Sequence, residues 1–179
     1  VVNCGLATTP AMFMSIVFDK TKFDGSLMIT ASHLPFNRNG IKFFNSDGGL
    51  EHEDIEEILK TAQNLNPKKN NSPFAENFDL LSVYAEYLKQ TICKELNSTE
   101  SEKPLSGLKI VVDAGNGDAG FFVDKILIPL GANTEGSEFL EPDGMFPNHI
   151  PNPENKQAMQ AIQKATVQNK ADLGLIFDT

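Results

Sequence analysis

The chain has 179 residues, 40% apolar and 22% charged, with a formal charge of −9 from 15 basic and 24 acidic side chains. This is the composition of an ordinary globular protein of one domain or two halves. No apolar run approaches the roughly 20 residues that span a bilayer, and the negative average field repels a polyanion such as nucleic acid.

The first stretch, "VVNCGLATT", reads as a strand, and "TPAMFMSIVF" as a helix capped by Thr9, with Pro10 at the first helical position where its missing N–H costs nothing. "SLMITA" is a short continuous apolar run, the pattern of a strand buried on both faces. A polar loop follows, then a second strand and glycine turn in "KFFNSDGG". Ile55, Ile58, Leu59, Ala62 and Leu65 recur at helical spacing, with acids on the other side. "NPKKNNSP" breaks that helix, and Leu80, Leu81, Tyr84, Leu88 and Ile92 mark the next. The polar stretch "NSTESEKPLSG" reads as a structureless boundary.

Beyond it come strand "LKIVVDA", helix "GFFVDKILIPLG", a strand near "NTEGSEFL", a proline-rich loop, helix "PENKQAMQAIQKATVQNK" and strand "ADLGLIFD". Alternating β and α at this spacing predicts right-handed crossovers and a mainly parallel sheet. The expected fold is two consecutive α/β domains, with mixed and mainly parallel sheets flanked by helices, both incomplete as given. The first is expected over residues 1–98, a linker over 99–106, and the second over 107–179. Two cysteines, Cys4 and Cys93, are too few for a disulfide framework, so a reducing compartment is expected.

Two stretches carry chemistry. "GNGDAG", residues 115–120, fits G-x-G-x-x-G between a strand and a helix, with Glu135 and Glu138 downstream at a distance suited to a ribose hydroxyl. Alone it reads either as a nucleotide-binding loop, hence a nicotinamide-dependent oxidoreductase, or as glycines that allow a tight turn and close packing. The competing signal is "ITASHLPFNRNGIKFF", residues 29–44. Ser32 ends an apolar strand, at the position where open α/β sheets hold ligands. A serine there can act as nucleophile or phosphate carrier, with His33 and Lys42 supplying proton transfer and positive charge. Asn37, Asn39 and Gly40 permit a sharp loop. Equally, Ser, His and Asn are common turn residues, and Lys42 alone is an ordinary solvated charge.

"TASHLPFNRNGIKFF" resembles the active-site loop of the α-D-phosphohexomutase family, whose hallmark is T-A-S-H-N-P followed by N-G-x-K. "GLATTP", "VVDAGNGDAG", "EPDGMFPNHIPNPE" and "ADLGLIFD" look like further segments of that family in the right order, so the resemblance covers essentially the whole chain. The Leu-Pro and "FNRNG" wording looks most like the phosphoglucomutase/phosphomannomutase branch of plants. In that family the "GNGDAG" loop is a structural turn, and a non-catalytic relative would keep the fold alone.

The resemblance implies an isomerase interconverting hexose 1-phosphate and hexose 6-phosphate, of glucose or mannose, through a phosphoserine and a bisphosphorylated sugar. Ser32 would carry the phosphoryl group, with His33 and Lys42 beside it. Mg²⁺ would be held by Ser32 and by a D-x-D-x-D-R loop, whose first two positions match Asp178 and Thr179. A hexose 1,6-bisphosphate would serve as activator or intermediate. The implied partner is a small phosphosugar, with no nucleic acid or membrane, in the cytoplasm or a plastid stroma. Arg38 is an extra cation relative to the motif, and Leu34 replaces its asparagine. His149 matches a family histidine expected to pack the proline-rich loop, and His52 is expected at the surface. The family's amino-terminal strand, further metal aspartates and two later domains have no counterpart here. The chain therefore reads as a piece of a longer protein, expected to show no mutase turnover alone.

Overall fold

The computed structural model describes residues 1–66 and 76–179. Most of "NPKKNNSP" lies outside them. The chain divides into two compact units, Val1–Thr30 with Gly40–Leu80, and Ala31–Asn39 with Leu81–Thr179.

The first unit opens with strand β1 (Val2–Asn3), which pairs in parallel with β5 (Glu76–Asn77) and is far shorter than "VVNCGLATT" predicts. Helix α1 (Thr9–Val17) is capped by Thr8 rather than Thr9: the Thr8 hydroxyl accepts from Ala11 N at 3.2 Å. Pro10 tolerates this shift because the first-turn N–H groups have no partner within the helix. Strands β2 (Ser26–Ile29), β3 (Ile41–Asn45) and β4 (Gly48–Gly49) form an antiparallel sheet in which Met28 opposes Lys42 and Ile29 opposes Ile41. α1 lies on this sheet, placing the Phe13 ring 6.3 Å from that of Phe44.

β2 is not buried on both faces: Leu27 is 60% and Ile29 77% exposed. An antiparallel hairpin needs cover on only one side, so a continuous apolar run does not by itself fix two-sided burial. Helix α2 (His52–Asn64) carries Ile55, Ile58, Leu59 and Ala62 at the predicted spacing, with Leu65 just past its end, but it has no buried residue. Its stripe is amphipathic without being covered by the described residues.

Helix α3 (Leu80–Glu95) was expected in the first domain, yet all of it past Leu80 belongs to the second unit. Ala85 and Cys93 are buried in that unit's core, with Leu88 and Ile92 packed against them. Nor is 99–106 a structureless linker. Thr99 and Glu102 bracket a single 3₁₀ turn, Lys89 bonds Glu100 at 2.8 Å, and Leu105 is buried in the same core. Polar composition predicts a solvated segment, whereas one apolar residue anchors it.

Strand β6 (Ile110–Asp113) is buried along its whole length and pairs in parallel with β7 (Leu173–Ile176). Ile110 and Val112 join the core of Ile126, Leu127 and Leu130 on one face, while Val111 packs with Ile162 and Ala165 of α4 (Lys156–Gln168) on the other. This two-sided burial explains the unbroken apolar run "IVV". The segment after Gly117 is helical as expected but irregular, a 3₁₀ turn at Asp118–Gly120 leading to a π-helical stretch at Val123–Leu127. "NTEGSEFL" is not a regular strand. Only Asn133 and Glu138 bridge to Lys109 and Asp113, and between them the Ser137 hydroxyl takes the N–H of Val112 at 3.0 Å.

Candidate active site

The loop carrying Ser32 is closed by the β2–β3 hairpin, where Thr30 N donates to Gly40 O at 3.0 Å. Gly40 is required here, because a Cβ at that position would stand 2.9 Å from the Thr30 carbonyl oxygen. Inside the closure, Leu34 N bonds Ala31 O at 3.1 Å and Arg38 N bonds Pro35 O at 2.8 Å, so the loop is two successive turns. Ser32 sits in the first, half-buried, at φ 53°. A non-glycine residue held in the left-handed region costs on the order of 1 kcal/mol or more and persists where its surroundings fix it.

Ser32 Oγ lies 3.2 Å from His33 Nδ1. If Nδ1 is the unprotonated nitrogen, the hydroxyl donates to it, the pairing a serine nucleophile needs from a base. Arg38 is exposed at the far end of the loop. Lys42, two residues past the closing glycine, is an exposed β3 residue of the first unit, whereas Ser32 and His33 fall in the segment grouped with the second.

Asp178 is exposed just beyond the carboxyl end of β7, and its Oδ1 accepts from Thr179 N at 2.9 Å. Its remaining oxygen chemistry suits a hard divalent ion. Among the described residues, however, no group of three or more His, Cys, Asp or Glu side chains is placed to hold one. Asp178 therefore supplies a single carboxylate.

The turn at 115–120 serves the chain's own packing. Gly115, at φ 56°, leaves no space for a side chain: a Cβ would meet Pro151 Cβ at 2.7 Å. A Cβ on Gly117 would stand 3.0 Å from Thr179 Cα, and one on Gly120 would run into the Leu140 carbonyl. Asn116, at φ 59°, ties down the facing segment. Its N donates to Phe139 O at 2.8 Å, its amide donates to Glu141 O at 2.9 Å, and Asn148 donates to its Oδ1 at 2.7 Å. A pyrophosphate approaching these glycines would overlap Pro151, Leu140 and Thr179. Glu138 is used in backbone pairing with Val112 and Ala114, and Glu135 lies 3.9 Å from Lys109. The glycine spacing thus satisfies the close-packing reading and leaves the oxidoreductase reading without a cradle.

Beneath this turn lies a pair that residue spacing missed. Asp113 and His149 are 1% and 2% exposed at the side chain, with Asp113 Oδ2 2.8 Å from His149 Nε2. The other carboxylate oxygen accepts from Gly115 N at 2.9 Å, and His149 Nδ1 lies 3.0 Å from Ile150 O. For Asp113 the sequence signal was an acid closing a fully apolar strand; His149 was marked only by the family resemblance, and nothing paired the two. His149 does pack the proline-rich loop, its ring edge-on to Phe139 at 5.4 Å. His52 is 82% exposed, beside Glu56 at 3.4 Å. Burial pushes the Asp118 carboxyl up to about 6, and its Oδ2 has no hydrogen-bond partner among the described residues.

Two family models match, the phosphoglucomutase/phosphomannomutase α/β/α domain I over residues 1–69 and domain II over residues 82–179. The chain is 35% identical over 175 residues to a phosphoglucosamine mutase of Caldicellulosiruptor saccharolyticus, covering 97% of this chain and 37% of that protein. It is 33% identical over 183 residues to a phosphomannomutase/phosphoglucomutase of Pseudomonas syringae pv. tomato, covering 99% and 35%. A solved phosphoglucomutase/phosphomannomutase family protein of Burkholderia thailandensis superposes with a TM-score of 0.74 at 25% identity, over 99% of this chain and 38% of that one. The chain spans little more than a third of the length of these relatives. With the serine loop, the turn at 115–120 and both matched domains in order, the chain belongs to the phosphoglucomutase/phosphomannomutase family, the α-D-phosphohexomutases.

Proposed function

We propose that this chain is the phosphoserine-bearing portion of a hexose-phosphate mutase, with Ser32 as phosphoryl carrier. The observation that carries the reading is Ser32 itself, a left-handed, half-buried serine whose Oγ lies 3.2 Å from His33 Nδ1 on a loop that Gly40 closes. In one direction the phosphoserine P–O bond breaks as a sugar hydroxyl attacks phosphorus. The sugar loses its proton to a neighbouring base, and Ser32 Oγ takes one up. After the bisphosphate reorients, Ser32 Oγ attacks its other phosphoryl group, His33 accepts the serine proton, and the sugar oxygen released as its O–P bond breaks takes up the proton that the neighbouring base had accepted.

Lys42 offers positive charge to the phosphoryl oxygens, whose transition state spreads negative charge over three equatorial positions. Magnesium, when bound, would neutralise the same charge. Asp178 fits it as one oxygen ligand, and Ser32, once phosphorylated, as another, while an ion would need donors beyond the described residues. The relatives are named for glucosamine, glucose and mannose phosphates, which widens the substrate class from glucose or mannose to include an amino sugar.

The test is phosphate transfer from a labelled hexose 1,6-bisphosphate to the full-length protein. One phosphate per chain, mapped to Ser32 and lost in Ser32→Ala, is expected. An intact protein that acquires no phosphate there, or a Ser32→Ala variant that still turns over substrate, refutes the assignment.

A further inference from the structure

We infer that Arg38 is a specificity-determining residue of the serine loop, one that favours the doubly phosphorylated sugar over the singly phosphorylated one. The inference rests on the mutase reading and adds to it a residue that neither carries the phosphoryl group nor moves a proton. Arg38 is the only arginine among the chain's 15 basic side chains, and it falls on the loop that bears Ser32. From Ile29 to Phe44 there is no acidic residue, so Arg38 and Lys42 give this stretch two positive charges, without counting His33, in a chain of formal charge −9. Lys22, Lys60, Lys89 and Lys109 each lie beside a carboxylate, whereas among the described residues neither Arg38 nor Lys42 does. Positive charge that no local acid offsets, in a chain that is acidic elsewhere, concentrates anions at this loop.

The hairpin register sets Arg38 against the serine limb. Ile29 pairs with Ile41 and Thr30 N donates to Gly40 O, so the two limbs leave the closure in step. Ser32 stands two residues beyond that closure on the outgoing limb, and Arg38 two residues before it on the returning one. The bonds of Leu34 N to Ala31 O and of Arg38 N to Pro35 O keep the loop folded between them. Arg38 is thus anchored by its backbone, while its side chain is exposed to an arriving ligand. A guanidinium is always charged, and its planar fork meets two phosphate oxygens at once. A phosphate monoester carries about −1.5 to −2 near pH 7. Once Ser32 is phosphorylated, that charge offsets Arg38 and Lys42, and the stretch that meets a sugar monophosphate is close to neutral. With Ser32 free, both cations are uncompensated, and the sugar that then reloads the serine carries two phosphates. Removing one of the two cations therefore weakens the bisphosphate more than the monophosphate.

The experiment uses the full-length protein. With the dephosphorylated form it reads the concentration of labelled hexose 1,6-bisphosphate that half-saturates phosphate transfer to Ser32, and with the phosphorylated form it reads KM for hexose 1-phosphate. Arg38→Gln is expected to raise the half-saturating bisphosphate concentration roughly two- to fivefold at low salt, and to raise KM for the monophosphate less. The difference from the unaltered protein should close between about 0.01 M and 1 M salt, as the screening length falls from roughly 30 to 3 Å. Arg38→Lys keeps the charge and loses the fork, and is expected to fall between the two. Lys60→Gln, which removes a cation from exposed α2, is expected to change neither value, so net charge alone is not the cause. An Arg38→Gln protein that loads at the same bisphosphate concentration as the unaltered one at low salt, or whose loss is equal for both sugars, overturns the inference and leaves the mutase reading standing. If the unaltered protein takes no phosphate at Ser32, the mutase reading falls and this inference with it.

Discussion

Replacing Gly115 with alanine tests whether the glycines of the turn serve packing or a ligand. The new methyl group meets two separate costs. At φ 56° the backbone is left-handed, which disfavours an L side chain by about 1–2 kcal/mol. The methyl carbon would also sit 2.7 Å from Pro151 Cβ and 3.4 Å from His149 Cε1, and overpacking of this kind costs about 1–3 kcal/mol. Against these stands a gain of about 0.4–1 kcal/mol from a less flexible unfolded chain. The balance is a destabilisation of about 3 kcal/mol, and for a chain of this size a drop in thermal midpoint of about 6–12 °C. Two further glycines separate the terms. Gly107, at φ 86° with open space around it, should show only the backbone cost when changed to alanine. Gly144, with open space and no left-handed angle, should stay within about 0.5 kcal/mol. Calorimetry on the three variants should rank them Gly115, Gly107, Gly144. A Gly115→Ala protein as stable as Gly144→Ala would show that Pro151 does not fill that space, and would reopen the turn to a ligand.

Three other outcomes follow from the same geometry. Thr8→Ala should cost about 1 kcal/mol as a lost cap, whereas Thr9→Ala, whose hydroxyl donates to Met28 Sδ at 3.2 Å, a weak acceptor, should cost less; urea unfolding of both variants reads the order directly. Gly40→Ala should destabilise by about 1–3 kcal/mol by forcing Thr30 away from the closure, and equal chemical shifts for residues 31–39 before and after the change would contradict that. Asp118 supplies a pH dependence. Its folded carboxyl is raised from 3.8 to about 6, so the folded state binds the extra proton and the penalty of ionising it is absent below about pH 4, grows between about 4 and 6, and is full above. After allowing for solvent screening the penalty is about 1 kcal/mol. Asp118→Asn should therefore raise the midpoint at pH 7 but not at pH 4, and equal gains at both values would exclude ionisation as the cause.

Read in sequence alone, the chain already yielded its α/β order, because periodicity is local. The spacing of Ile55, Ile58 and Ala62 and the unbroken "IVV" each reflect which faces of one element are apolar. The closure of the serine loop was equally legible, since a hairpin that must close over Thr30 needs glycine at 40. What sequence did not determine was which surface each apolar face meets. Helix α3 carries the same stripe whichever unit it joins, and only the packing of Ala85 and Cys93 with Ile110 and Val112 decides it. The glycine run at 115–120 fits a phosphate cradle and a crowded turn alike, because both need a missing Cβ. The arrival of Pro151, Leu140 and Thr179 from far along the chain chooses between them. The pairing of Asp113 with His149, 36 residues apart, belongs to the same class: nothing local selects a partner for a buried acid, and only the path of the folded chain brings the imidazole within reach.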